Sequence, residues 1–195
     1  SQIKKLDKKE LQVSVCGRVG VGKSSLLNAL VEKQVFQTDI INGSTKTTQS
    51  YKWCQSFNKV ELIDSPGIDE INNTHKEEVN FHYLLNTDLI LFVIDSDMTR
   101  IDLNAIEKLV RNKKPILIVL NRCDQWTKKE AKLILSSIQK KLSIYNHKIK
   151  IVLVASSPRE AIIKKNGTVR SEKKAPKVDT LKDELKEIID QSSEL

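Results

Sequence analysis

The sequence from residue 17 to residue 24 reads Gly17-Arg18-Val19-Gly20-Val21-Gly22-Lys23-Ser24 and fits the pattern G-x-x-x-x-G-K-[ST] without a mismatch. A short apolar strand is predicted before it, at residues 11–16, and residues 24–32 carry apolar side chains at helical spacing. Glycines let the backbone curl until its N–H groups converge on an anion, and the start of the helix adds a favourable dipole. We therefore expect a phosphate-binding loop formed by this stretch and Ser25, with Lys23 at the terminal phosphates and Ser24 as a Mg²⁺ ligand.

Outward from this loop, predicted strands alternate with predicted helices along the chain. The strands are expected at residues 11–16, 49–55, 59–63, 89–94, 116–120 and 150–154. Helices are expected at residues 24–32, 75–85, 102–111 and 180–189, and Thr127 is expected to cap a further long helix that runs to about Leu142. The second and third strands flank a polar turn and form a hairpin. The pattern predicts an α/β fold with three layers: a mostly parallel six-stranded sheet with one antiparallel edge strand, and helices on both faces.

The next motif, Asp64-Ser65-Pro66-Gly67, comes directly after a predicted strand. In sheets of this kind ligands bind beyond the carboxyl ends of the strands, and all the motifs lie at such ends. Asp64 at this position can hold Mg²⁺ through water, and the Gly67 amide can meet a γ-phosphate. The same four residues are also a common turn, so the upstream phosphate loop gives the motif its weight.

The base-reading motif is Asn121-Arg122-Cys123-Asp124, which follows the strand at residues 116–120. The carboxylate of Asp124 can accept hydrogen bonds from both the ring N–H and the exocyclic amine of guanine. Adenine offers an acceptor and no amine there, a mismatch that costs on the order of a few kcal/mol. A backbone N–H of Ala155 or Ser156, after the last strand, can donate to the guanine carbonyl. The expected ligands are therefore GTP and GDP with Mg²⁺.

These four motifs, in this order, resemble the small GTPase domains of the translation-factor-related class, and most of all the bacterial Era-like GTPases. The resemblance extends from about Leu11 to Ile189 and implies the P-loop GTPase fold and hydrolysis of GTP to GDP and phosphate. The stretch at residues 155–159, with Asn166-Gly167 after it, also looks like the GTPase modules that precede a membrane-associated C-terminal domain in some bacterial proteins.

The resemblance also supplies the switch residues. Thr47-Thr48-Gln49 is similar to the Thr-Thr-Arg of the Era-like first switch, so Thr48 would bind Mg²⁺ in the GTP state and act with Lys23 and Gly67 in catalysis. Thr47 and Thr45 are the alternatives, because the spacing of this loop varies.

Several residues depart from the family pattern. Arg122 replaces the usual Lys, and its aliphatic stem can still lie over the base. Ile68 stands where many small GTPases carry a Gln that orients water. Gly20 replaces an Asn that assists potassium in several relatives, and Val19 is expected to block an arginine finger above the loop. Intrinsic turnover is therefore expected to be slow, well below about one per second.

Residues 1–195 are expected to form a single domain, with an N-terminal extension at residues 1–10 and an inserted hairpin and basic loop at residues 158–177. Asn166-Gly167 predicts the tight turn of that hairpin, and residues 170–177 are predicted to be loop. The insertion can frame the base pocket, bind a partner or be an inert surface hairpin.

The composition leaves several partners open. A net charge of +8 fits RNA, an anionic membrane surface or only a lysine-rich solvated face. The expected function is a nucleotide-dependent switch that acts on an effector protein. The alternatives are a nucleotide-dependent homodimer or scaffold with negligible hydrolysis, and an RNA- or ribosome-associated GTPase. The scattered Cys16, Cys54 and Cys123 predict reduced thiols in the cytoplasm. The first residue is Ser, which fits a piece of a longer protein, and membrane association would then come from parts absent from this chain.

Overall fold

The computed structural model describes residues 11–37, 48–53, 60–68, 81–145, 149–163 and 167–192. Strands form a six-stranded sheet in the order β2-β3-β1-β4-β5-β6. Their bounds are β1 Leu11–Cys16, β2 Gln49–Trp53, β3 Val60–Asp64, β4 Leu89–Ile94, β5 Ile116–Leu120 and β6 Lys150–Leu153. Neighbouring strands are parallel except for β2 and β3, which are antiparallel, so the predicted sheet is confirmed.

Helices lie on both faces of this sheet. They are α1 (Lys23–Val31), α2 (Arg100–Arg111), α3 (Lys128–Leu142) and α4 (Asp179–Ser192), and residues 81–85 are also helical. Strand β4 shows how the sheet is covered, because all six of its residues are buried. Leu91 and Val93 pack into the core under α1 and α4, whereas Phe92 and Ile94 pack into the core under α2 and α3. Burial on both faces explains why this strand is continuously apolar.

Helix starts follow side-chain caps that the sequence supplies. Thr99 caps α2, because its hydroxyl accepts from the Asp102 N–H and the Asp102 carboxylate accepts from the Thr99 N–H. Thr127 caps α3, as predicted, and forms the same reciprocal pair with Glu130. The cap at Thr99 starts α2 at Arg100, two residues before the predicted start.

The insertion at residues 158–177 contains a separate two-stranded antiparallel sheet, formed by β7 (Arg159–Ile163) and β8 (Val169–Lys173). The predicted pairing of two strands is confirmed, with Ile163 opposite Val169, and Gly167 between them has a positive φ of 80°. The tight turn at Asn166-Gly167 stays a prediction, because Asn166 lies outside the described residues. The prediction that residues 170–177 are loop is wrong for residues 170–173, which pair with β7 throughout. Both faces of this hairpin are largely exposed, so charged residues occupy a strand without the apolar alternation that sequence reasoning relies on.

Several predictions concern residues outside the described ones. They are the extension at residues 1–10, the alternatives Thr45 and Thr47, Cys54, Asn166, and the first part of the helix predicted at residues 75–85. Within the described parts of the chain, no helix has the length and apolar character needed to cross a membrane.

Candidate nucleotide-binding site

The phosphate loop joins β1 to α1 and depends on its glycines. A Cβ atom at Gly17 would collide with the backbone carbonyl of Val93, and one at Gly22 would lie 2.5 Å from Nδ2 of Asn121. Both glycines also have positive φ values, 143° and 94°. The loop can therefore approach its neighbours this closely only without side chains at these positions.

Lys23 holds its ammonium group inside this loop. The residue is buried, and Nζ donates to the carbonyl oxygens of Gly17 at 3.1 Å and Arg18 at 2.8 Å. The N-cap of α1, Gly22, has no side-chain hydrogen bond, and the first turn of this helix carries no acidic residue. The first turn of this helix thus places no carboxylate of its own at the positive end of the helix dipole, where an anion would bind.

Ser24 and Asp64, two of the three predicted metal-holding residues, lie side by side. The hydroxyl of Ser24 donates to Oδ2 of Asp64 at 2.5 Å, and Asp64 is completely buried. The next residue, Ser65, anchors this strand end by donating to the carbonyl of Val15 at 2.6 Å. A hydroxyl and a carboxylate oxygen fit Mg²⁺, which prefers oxygen ligands and binds through one or two carboxylates plus phosphates.

The other two predicted catalytic residues, Gly67 and Thr48, differ in burial. Gly67 is buried, and the N–H of the next residue, Ile68, donates to the carbonyl of Gly17 at 3.1 Å, so this segment lies against the phosphate loop. Thr48 lies exposed, one residue before β2. The structure therefore brings Lys23, Ser24, Asp64 and Gly67 to one end of the sheet.

Asn121 connects the phosphate loop to two segments that follow strands, the turn at residues 122–125 and the stretch at residues 155–157. Its Nδ2 donates to the carbonyl of Val21 at 2.9 Å, while its Oδ1 accepts from the N–H groups of Arg122 at 2.9 Å and Ser156 at 3.0 Å. The side chain is buried, with 1% of the residue exposed. One amide thus fixes three separate segments of chain relative to each other.

The N–H groups of Ala155 and Ser156 are both engaged within the protein. Ala155 donates to the carbonyl of Lys177 at 3.0 Å, and Ser156 donates to Asn121 as described. The next residue in this segment, Ser157, is exposed. Sequence reasoning could not assign these internal partners, because the triplet Ala-Ser-Ser carries no signal of which amide is used.

Asp124 lies in a short 3₁₀ turn, Cys123–Gln125, and is exposed. The turn is attached to the neighbouring strand end because the Cys123 N–H donates to the carbonyl of Val154 at 3.0 Å. Burial, and then the charge of Asp124, raise the pKa of the Cys123 thiol. The carboxylate that is expected to read the base is thus available to a ligand on a fixed turn.

Arg122 connects the base-reading turn with the phosphate loop. Its Nη2 donates to the carbonyl of Gly20 at 2.5 Å, and its Nη1 donates to Oδ2 of Asp95 at 2.9 Å. Its backbone is left-handed, with a φ of 61°. The aliphatic stem therefore spans the gap between the two loops.

Asp95 and Asp102 are site residues that sequence reasoning missed. Nε of Arg18 donates to both carboxylate oxygens of Asp102, at 3.3 and 3.2 Å, and its Nη2 lies 3.5 Å from Oδ1 of Asp95. Arg18 thus directs its side chain to the start of α2, and only its backbone remains for the predicted nucleotide contact. The available signal was the position of Asp95 directly after a buried strand, but an Asp there is also a common turn former.

A cavity of about 500 Å³ lies beside Ser156, between α1 and the start of α4. Lys173, Lys174 and Pro176 of the insertion form part of its wall. The bridge between Ala155 and Lys177 attaches the end of the insertion directly to the base-binding loop.

This combination of a parallel sheet, a glycine-rich phosphate loop and a carboxylate on an adjacent strand-end turn defines a P-loop protein of the guanine-nucleotide-binding class. Comparison with protein families agrees: residues 12–122 match the family described as "50S ribosome-binding GTPase". The chain belongs to this family and is an Era-like GTPase domain.

Individual relatives extend the comparison. The tRNA modification GTPase MnmE of Helicobacter acinonychis is 36% identical over 145 residues, which are 71% of this chain and 32% of the relative. A tyrosine-to-alanine variant of Aquifex aeolicus Era bound to GDP and AlF4⁻ has a TM-score of 0.57 and 26% identity, covering 74% of this chain and 50% of that one. Era in complex with MgGDPNP and a fragment of 16S ribosomal RNA has the same TM-score and identity, covering 76% and 51%. The chain thus spans about a third to a half of the length of these relatives.

Proposed function

We propose that this domain binds GTP or GDP together with Mg²⁺, hydrolyses GTP slowly and works as a nucleotide-dependent switch. The observation that carries the proposal is the set of hydrogen bonds around Asn121, which holds the phosphate loop beside the turn that carries Asp124. Polyphosphate binding and base reading are then parts of one site. The carboxylate of Asp124 would accept from the guanine ring N–H and amine, and the N–H of Ser157 would donate to the guanine carbonyl.

The phosphates would lie in the curl of the phosphate loop, over the start of α1. Lys23 would exchange its two carbonyl contacts for oxygens of the β- and γ-phosphates, because a phosphate is the stronger acceptor for an ammonium group. Ser24 and Asp64 would hold Mg²⁺, with Thr48 joining them in the GTP state. When bound, the ion would neutralise charge on the β- and γ-phosphates. The Gly67 N–H would meet the γ-phosphate, so that loss of this group on hydrolysis would release the segment after β3.

Slow hydrolysis follows from the residue after Gly67. Ile68 packs against the core under α2 and α3 and has no polar group to orient water. Positioning of the attacking water would then depend on backbone groups or on a partner, and catalysis by the domain alone would come from charge stabilisation and positioning.

Fluorescent GDP and ADP analogues and single-turnover hydrolysis of GTP test this proposal. GDP should bind at least about 100-fold more tightly than ADP, since unpaired polar groups in such a pocket discriminate by a few kcal/mol. Asp124→Asn should remove most of this preference, whereas Asp183→Asn, an exposed carboxylate on α4, should leave it unchanged. Equal affinity of the unmodified chain for GDP and ADP would overturn the assignment of the base.

A further inference from the structure

Asp95 is the centre of a chain of contacts that runs from α2 to the phosphate loop. One of its carboxylate oxygens faces Arg18 at 3.5 Å, and the other accepts from Arg122 at 2.9 Å. Arg18 pairs in turn with Asp102, which is completely buried and caps α2, and Arg122 donates to the carbonyl of Gly20. Two arginines and two aspartates alternate, so the charges of the chain balance.

The contact with Asp95 fixes the direction of the Arg122 guanidinium. An arginine side chain has high rotamer entropy, and this one is 41% exposed, so a single carbonyl would hold it weakly. The carboxylate of Asp95 is only 19% exposed and follows directly on the rigid strand β4. With Nη1 on Asp95 and Nη2 on the carbonyl of Gly20, the planar group is held at two points.

This geometry also favours arginine over lysine at position 122. A guanidinium presents separate N–H groups in a rigid plane and can join a carboxylate and a carbonyl on opposite sides of a gap. A lysine has one nitrogen for both acceptors. The pairing of Arg122 with Asp95 is thus specific to an arginine at this position.

We propose that Asp95 is a positioning residue that sets how long the domain retains guanine nucleotide, by holding Arg122 across the phosphate loop and the base-reading turn. The inference rests on the proposed nucleotide binding. Asp95 itself touches no ligand in this arrangement. Without it, Arg122 loses its orientation, and the loops on the two sides of the nucleotide separate more readily during release.

Dissociation of a fluorescent GDP analogue, chased with unlabelled GDP, tests the proposal. Asp95→Asn keeps the shape but removes the charge, and should increase the dissociation rate about tenfold, the effect expected on losing one charge-assisted hydrogen bond. The association rate should change little. The matched control is Asp97→Asn, because Asp97 follows the same strand and pairs with Lys141 at 2.7 Å but has no contact with the phosphate loop. This control should change dissociation less than twofold.

A double-mutant cycle shows whether Asp95 acts through Arg122. Arg122→Lys, which keeps the charge but offers a single nitrogen, should increase the dissociation rate in the unmodified chain but cause little further increase in the Asp95→Asn background. Equal rates for the Asp95→Asn and Asp97→Asn variants, or additive effects of Asp95→Asn and Arg122→Lys, would overturn the inference. If the unmodified chain binds no guanine nucleotide, the proposed function fails. If it binds but Asp95→Asn changes nothing, only this inference fails.

Discussion

Replacing Asn121 with Ala should destabilise the nucleotide-free domain by about 3 kcal/mol. The side chain makes three hydrogen bonds of 2.9 to 3.0 Å, to Val21, Arg122 and Ser156, in a place where 1% of the residue is exposed. Each such bond contributes about 1 kcal/mol net, and the groups left behind have little access to water. For a domain of this size the loss corresponds to a fall in Tm of about 6–12 °C.

The measurement is urea unfolding followed by circular dichroism, with nucleotide removed because a bound ligand would add its own stabilisation. Asn112→Ala is the matched control. Asn112 is exposed at the end of α2, and its side chain makes one hydrogen bond of 2.8 Å to the carbonyl of Lys108. Its replacement should cost about 0.5 kcal/mol, because the carbonyl that loses its partner can bind water instead.

A third variant separates the contribution of the amide nitrogen of Asn121 from that of its oxygen. Asn121→Asp keeps the oxygen that accepts from Arg122 and Ser156 but loses the donor to Val21, and should fall between the other two, with a loss of about 1–3 kcal/mol. The reasoning is refuted if Asn121→Ala costs no more than Asn112→Ala, since the buried amide would then not connect the three segments. A normal m-value is needed for the comparison, because a changed slope would indicate altered compactness rather than a lost contact.

Two further predictions concern the phosphate loop and β1. Gly20→Ala should lower the free energy of unfolding by about 1 kcal/mol, because there is space for the methyl group but the φ of this residue is 79°. Gly17→Ala should lower it further, because the added Cβ would collide with the backbone of Val93. Urea midpoints of the two variants measure the difference. In a variant with Cys54 and Cys123 replaced by Ser, the Cys16 thiol should resist iodoacetamide at pH 8 until urea unfolds the chain, because burial raises its pKa to about 12. Since this folded pKa lies above the ordinary 9.0, stability relative to a Cys16→Ala variant should hold below pH 9 and fall as the pH rises from 9 towards 12. Rapid labelling in the folded state, or parallel pH curves, would contradict the assignment.

The strands of the sheet could be predicted from sequence because each is specified locally. Residues 89–94 and 116–120 match the structure at both ends, since strands covered on both faces are continuous apolar runs bounded by polar residues. The start of α3 at its Thr127 cap was predictable for the same reason. Strand β8 was not, because an exposed hairpin buries neither face and leaves no periodic signal in Val169–Lys173.

In the candidate site, too, some contacts could be predicted from sequence and others could not. Lys23, Ser24 and Asp64 could be predicted as neighbours, because their motifs occupy adjacent strand ends in any sheet of this order. The partners of Arg18 and of the Ala155 and Ser156 N–H groups could not, since both depend on contacts that the folded chain brings together. Arg18 and Asp102 are 84 positions apart, and only the folded sheet brings them together.

The phosphate loop and the base-reading turn are connected twice, by contacts of different physical character, and salt should separate their roles. The amide of Asn121 is buried and neutral, so its contribution to folding should be nearly independent of ionic strength. The pair of Arg122 and Asp95 is charged and partly exposed, with side-chain exposures of 41% and 19%, and is accessible to screening. Between about 0.05 and 1 M salt the Debye length shortens to roughly 3 Å, which weakens such a pair while leaving the amide intact. Raising the salt concentration should therefore speed GDP release from the unmodified chain and bring its rate towards that of Asp95→Asn. The ranking of Asn121→Ala and Asn112→Ala by urea midpoint should not change with salt. If the rate of GDP dissociation did not change with salt, the charged contact would have no part in retaining the nucleotide.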